Sequence, residues 1–180
     1  MLKHLIIFFI LTIIFIKTTS ANIINKINIS GNQRIESSTI LSYLNIKKGD
    51  DFPIEDLNIA FKDLFATELF LDIKFKINKD ILSIIVVENP IINRIALEGN
   101  KRIDNEDILA EILLKPRDIF TLNKVKNNVQ KILGIYRGNG RDAAVVEPKL
   151  IYLEQNRVDL IFEIEEGPLS KIKFINFLGN

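Results

Sequence analysis

The sequence predicts an α+β protein made of two tandem βααββ units, and three observations carry that prediction. The signature Ile27-Asn28-Ile29-Ser30-Gly31-Asn32 returns as Ile95-Ala96-Leu97-Glu98-Gly99-Asn100, and again as Ile175-Asn176-Phe177-Leu178-Gly179-Asn180. Residues 26–65 lie on residues 94–133 without a gap, at a constant offset of 68. Each unit also closes on two consecutive apolar-patterned strands. A repeat of this length has to be recognised before any single segment is read, because each copy is one structural unit.

The signature itself is a strand running into a turn. Its apolar residues stand two apart, as one face of a β-strand requires, and Gly-Asn supplies the residue types that most readily take a positive φ. Of the forty aligned positions, ten are identical, among them Ile27, Gly31, Asn32, Arg34, Ile35 and Ile40 with their counterparts Ile95, Gly99, Asn100, Arg102, Ile103 and Ile108. After the turn, Ile40, Leu41 and Leu44, like Ile108, Leu109 and Ile112, mark a helix with one buried stripe. Asp104 and Asp107 suit the N-terminus of the second copy of this helix.

A second helix follows in each unit, starting near Pro53 and near the capping residue Thr121. Its inward positions are expected to be Leu57, Phe61 and Leu64 in the first copy and Val125, Val129 and Ile132 in the second. The hairpin comes last. Ile73, Phe75 and Ile77 alternate with Asp72, Lys74 and Lys76, which fits a strand with one wet face at a protected sheet edge. Leu82 to Val87 is nearly all apolar and suits a central strand. In the second unit, Pro148 within 145–152 points to an edge, and Val158, Leu160, Phe162 and Ile164 line one face of the final strand. The register returns where Val87-Glu88-Asn89-Pro90 meets Glu165-Glu166-Gly167-Pro168, ten residues later than the offset of 68 would place it.

Composition and termini bound the function. The 180 residues carry a formal charge of +1, and without Lys3 and Lys17 the 24 basic residues become 22 against 23 acidic ones, a net charge of −1. That balance lacks the clustered basic face a nucleic-acid partner calls for. Residues 1–21 read as a signal peptide. Lys3 and His4 precede an apolar run from Leu5 to Ile16, and Thr19 and Ala21 are placed for cleavage. Twelve helical residues rise only about 18 Å against a hydrocarbon core of roughly 30 Å, which argues against a span, and the charge of Lys17 near the cleavage site keeps an uncleaved anchor as the alternative. The chain has no cysteine, so its cores hold by burial alone.

The inventory of reactive groups is short. His4 is the sole histidine, and a chain without cysteine offers no thiol nucleophile and no His/Cys metal site. Gly138-Asn139-Gly140 lacks the lysine and the preceding strand of a phosphate loop and reads as a turn ending a helix. Glu163, Glu165 and Glu166 read as a solvated edge. No catalytic residue, cofactor or metal site is expected.

These tandem units resemble the POTRA (polypeptide-transport-associated) region of bacterial outer membrane protein assembly factors. The resemblance rests on the Gly-Asn strand exits, Arg34-Ile35, Gly49-Asp50 before Phe52, Leu64-Phe65-Ala66-Thr67 leading to Leu69-Phe70, and Asn156 to Leu160 before Glu165-Glu166-Gly167-Pro168. It covers residues 23–180. It implies that each βααββ unit is a three-stranded mixed sheet packed on two helices, with one unit over 22–90, a second over 91–168 and the first strand of a third over 169–180. It also implies a periplasmic, non-enzymatic role. Partners would be unfolded outer-membrane proteins and the accessory lipoproteins of an assembly complex, with attachment to the outer membrane through a barrel beyond this sequence.

Client binding by β-augmentation on the edge strands 71–77 and 143–152 would then involve Asp72, Lys74, Lys76, Val145, Glu147 and Lys149. The same lysines also suit an edge guarded against aggregation. Related readings are a translocation module of the TamA or two-partner secretion kind, or a barrel-less periplasmic interaction protein. Ending at Gly179-Asn180, inside a third unit, the chain is expected to be a fragment. Glu68 stands where the family often has glycine, and extending the preceding helix is its expected role.

Overall fold

The computed structural model describes residues 24–44 and 54–171, with the side chains of Ile54 and Glu55 left aside. The expected signal peptide over 1–21, Gly49 to Pro53 and the third copy of the signature lie outside the described residues. The first unit comprises β1 (Lys26–Ser30), α1 (Ser37–Leu44), α2 (Ile54–Ala66), β2 (Phe70–Asn78) and β3 (Ile81–Glu88). The second comprises β4 (Ile91–Glu98), α3 (Asn105–Glu111), α4 (Leu122–Gly138), β5 (Val145–Leu153) and β6 (Arg157–Glu165).

Each sheet has the most apolar strand in the middle, β3 between β1 and β2, and β6 between β4 and β5. Pairing is parallel with the opening strand and antiparallel within the hairpin, so both sheets are mixed. Helices cover one face. Leu82, Ile84 and Val86 of β3 are buried against Ile40, Leu57 and Leu64, and Leu160, Phe162 and Ile164 of β6 against Ile108, Val125 and Ile132. Two separate cores result, one per unit. The near-continuous apolar run of β3 does not mean burial on both faces, since Val87 is exposed and Ile85 half-buried.

The repeated signature has a steric cause. Gly31 and Gly99 both sit at φ +88°, and a Cβ on either would collide with the carbonyl oxygen of Val86 or Ile164 on the neighbouring central strand. The following asparagine closes the turn. Asn32 Nδ2 donates to the Ile35 carbonyl at 2.8 Å, and Asn100 Nδ2 to that of Ile103 at 2.9 Å. Lys47, Asp50 and Phe52 return in the second unit as Lys115, Asp118 and Phe120, and there Lys115 N–H donates to Asp118 Oδ2 at 2.8 Å while Phe120 enters the core. Arg117, the counterpart of Gly49 in sequence, adopts φ +77° there.

Three expectations need correction. Phe61 is not part of the buried stripe of α2, which is Leu57, Ala60 and Leu64; Phe61 lies outside it and stacks on Phe65 with ring centroids 5.7 Å apart. Spacings of three and four residues allowed either face, and Ala60, buried in the first core, takes the inward position. Glu68 does not lengthen α2. The helix stops at Ala66 and Glu68 takes φ +58°, the left-handed conformation that a glycine would adopt at least cost. Asp104 stands at the N-cap of α3 but makes no side-chain capping bond, whereas Thr121 caps α4 by accepting from Lys124 N–H. Four of the extra residues of the second unit lie in the helix itself, since α4 has 17 residues and α2 has 13.

That longer helix brings Tyr136 into the second core, where it is fully buried. Burial, reinforced by the carboxylate of Glu166 beside it, pushes the Tyr136 hydroxyl up to about 12. Folding thus favours neutral Tyr136. Its contribution is intact below the ordinary tyrosine value of about 10 and is lost as pH rises through the folded value. An ultraviolet titration should show one of the three tyrosines ionising last, near pH 12, and Tyr136→Phe should remove that step.

Candidate functional site

The two candidate edges lie in different sheets. Among the described residues β2 pairs only with β3, and β5 only with β6. Asp72, Lys74 and Lys76 share one face of β2, while Val145, Glu147 and Lys149 share one face of β5. Within each triplet neighbouring charges pair. Lys74 Nζ stands 2.8 Å from Asp72 Oδ2, and Lys149 Nζ 3.3 Å from Glu147 Oε2 and 3.5 Å from Glu163 Oε2. The hydrogen bond from Lys74 lowers the Asp72 carboxyl, and the bond to Glu147 raises the Lys149 ammonium. Exposed pairs of this sort are worth little in stability, so their effect is on what can approach the edge.

What an incoming strand would meet is backbone, and the register says which residues present it. Asn78 faces Ile81 across the two-residue turn Lys79-Asp80. A two-residue hairpin makes that flanking pair the hydrogen-bonded one, and bonding alternates from there. The N–H groups of Lys76 and Lys74 therefore point into the sheet, and those of Ile77, Phe75 and Ile73 point out of its free side. Sequence reading singled out the lysines; the donors belong to the residues between them.

The β5 edge is a poorer template. Its register to β6 runs unbroken from Val145 to Leu153 across Pro148. The donor that Pro148 lacks is thus one that would have faced outward. No such gap interrupts β2.

The β2 edge begins at the joint between the units, which is extensively hydrogen-bonded. Asn89 N–H donates to the Leu69 carbonyl and Asn89 Nδ2 to that of Glu68, both at 2.8 Å, while Arg34 Nη2 donates to the Asn89 carbonyl at 3.0 Å. From the second unit, Asn156 Nδ2 donates to the Glu88 carbonyl at 3.1 Å and Phe120 N–H to that of Pro90 at 2.9 Å. Lys124 Nζ meets Glu68 Oε2 at 2.6 Å across the joint. The motif from Asn156 to Leu160 acquires a role here. Asn156 clasps the linker, and Asp159, nearly buried, accepts from Asn93 Nδ2 at 2.7 Å and Arg94 Nε at 2.6 Å to fix the start of β4.

Beside that joint lies a cleft of about 450 Å³ lined by Phe65, Phe70, Leu71, Phe120 and Leu122, with Glu68, Asn89, Thr121 and Asn123 among its polar walls. Sequence reasoning missed it. The available signal was an apolar residue directly after the Thr121 cap and an i, i+4 phenylalanine pair. The three acidic residues near the end of β6 do not converge: Glu163 faces Lys149, Glu165 is exposed, and Glu166 accepts from Arg102 N–H at 2.7 Å.

A family model described as "POTRA: Surface antigen variable number repeat" matches residues 22–89 and 90–167. The chain belongs to the POTRA family. It is 32% identical over 160 residues to the outer membrane protein assembly factor BamA of Neisseria meningitidis, which covers 87% of this chain and 20% of that protein. It is 28% identical over 155 residues to BamA of Neorickettsia risticii, covering 86% of the chain and 21% of the relative. The chain thus spans about a fifth of the length of these relatives. Among solved structures, the N-terminal domain of Omp85 from Thermosynechococcus elongatus superposes with a TM-score of 0.55 at 17% identity, over 81% of this chain and 63% of that one. At that identity the likeness concerns the POTRA fold, including its mixed three-stranded sheets.

Proposed function

We propose that this chain is the periplasmic POTRA region of an outer membrane protein assembly factor, exported by residues 1–21, which holds unfolded β-barrel clients and accessory subunits for insertion into the outer membrane. The observation that carries the reading is the proline-free edge of β2, unpaired among the described residues and in unbroken register from Asp72 to Asn78, in a chain that belongs to the POTRA family. Relatives named as outer membrane protein assembly factors support the cellular setting. An edge of backbone donors and acceptors recognises extended chain without regard to sequence, which suits a receptor for many clients. Lys74 and Lys76 admit weak, reversible pairing and discourage permanent self-association.

The test places proline where it removes an outward donor and leaves the ladder to the central strand intact. Ile77→Pro on β2 meets that condition, and so does Tyr152→Pro on β5, which shares the outward parity of Pro148 and is exposed. Site-specific crosslinking of the full chain to an unfolded outer-membrane protein should fall several-fold in Ile77→Pro and little in Tyr152→Pro, with circular dichroism unchanged. Full crosslinking by a folded Ile77→Pro chain would remove β2 from the reading.

A further inference from the structure

We infer that the cleft between the two units is a side-chain subsite of the β2 edge, so that an extended peptide pairing with β2 seats one bulky apolar residue between Phe65, Leu71 and Leu122. The inference rests on the edge-binding role proposed above and adds a preference to it. Three observations meet at the cleft. Phe70 and Leu71 belong both to its wall and to the first residues of β2, so a strand lying along the free edge runs directly into it. Leu71 sits at the register shift between Phe70 and Asp72, where the ladder skips one residue, and it is 57% exposed. Phe65 and Leu122, 49% and 65% exposed, carry the apolar wall on from α2 to the first residue of α4.

Large apolar side chains at such exposure from two units, converging on one concavity, form a patch of the kind that takes a partner. The volume falls in the range of about 300–1,000 Å³ usual for ligand clefts. Its walls are also fixed before anything binds. Asn89 is bound to the carbonyls of Glu68 and Leu69, Asn156 holds the linker carbonyls, and Phe120 N–H is tied to Pro90. Little ordering is left for a ligand to impose, which favours affinity. The free backbone of β2 selects the conformation of the occupant and the cleft selects one of its side chains: an extended peptide with a bulky apolar residue at the end that lies over Leu71.

The test uses the full chain and two fluorescein-labelled peptides of about ten alternating Thr and Val residues, one with a terminal Phe and the other with Ala in its place, made with the variable residue at either end. Fluorescence anisotropy should show the Phe peptide binding about tenfold tighter than the Ala peptide in one of the two orientations. Phe65→Ser and Leu122→Asp should erase that preference and leave the Ala peptide's affinity unchanged. Both positions are exposed, and aspartate suits the first turn of α4. Ile77→Pro should weaken both peptides. A preference that persists in Phe65→Ser and Leu122→Asp, or wild-type binding without preference that is still lost in Ile77→Pro, overturns the subsite and leaves the edge reading standing. Failure of both peptides to bind wild type overturns both.

Discussion

Replacing Gly31 or Gly99 with alanine is expected to unfold the unit that carries it, with a loss of about 3 kcal/mol or more. Two costs combine. A positive φ disfavours any L-residue by about 1–2 kcal/mol, and the new methyl group would overlap the carbonyl oxygen of Val86 or Ile164. That carbonyl belongs to the central strand of a three-stranded sheet, so the clash cannot be relieved without breaking the parallel pairing of β1 with β3 or of β4 with β6. Because the two cores are separate, the loss should stay within one unit. Urea unfolding of Gly31→Ala followed by hydrogen exchange should therefore show early opening of residues 26–88 with 91–165 still protected, and Gly99→Ala should show the converse. Gly134→Ala is the control. It lies inside α4 with open space around the position, and alanine there should stabilise by about 0.5–1 kcal/mol. Wild-type stability in both signature variants would mean that the tight exit is not what the glycines are for.

Order and type of the elements were legible because the repeat supplies each segment twice, and a period that is ambiguous in one copy is constrained by the other. The strand-helix-helix-strand-strand plan, the central place of 81–88, the edge place of the strand that holds Pro148 and the Thr121 cap could all be read from apolar spacing and turn residues. Phe61 could not be placed, because a four-residue spacing on a helix leaves two adjoining faces available and only the packed sheet chooses between them. The candidate edges were legible as strands and illegible as donors. Alternating side chains reveal which face is wet, whereas the direction of each N–H depends on which pair flanks the turn, and that is a property of the hairpin. The cleft was hidden for a different reason. Phe65 and Leu122 are 57 positions apart in the chain, and no local pattern shows that the joint sets them side by side.

Loss of the Glu88 carboxylate should be the largest single-charge effect in the first unit. Glu88 Oε1 accepts from the N–H groups of Gln33 at 2.7 Å, Ile35 at 2.9 Å and Arg34 at 3.0 Å, and Oε2 lies 3.3 Å from Arg34 Nε. It thereby satisfies the backbone of the whole segment after the Gly-Asn turn from the far end of the sheet. Glu88→Ala would leave those donors without their acceptor and is expected to cost about 3–5 kcal/mol; Glu88→Gln, which keeps the shape and one oxygen, should cost about 2–3 kcal/mol. Burial by itself would raise the Glu88 carboxyl, but the three backbone donors and the Arg34 guanidinium outweigh it and hold the group below its ordinary 4.5. The sign follows from that direction. The stabilisation is complete above that ordinary value, which the unfolded chain keeps, and disappears as pH falls through the lower folded value. Denaturation midpoints measured from pH 7 to pH 3 should thus drop more steeply for wild type than for Glu88→Gln, and parallel curves would place the acid sensitivity elsewhere. In the second unit Glu166 accepts from Arg102 N–H at 2.7 Å and more distantly, at 3.4 Å, from the Tyr136 hydroxyl. With one backbone donor in place of three, Glu166→Gln should cost only about 1 kcal/mol. The same closing glutamate therefore fastens the first unit more firmly than the second.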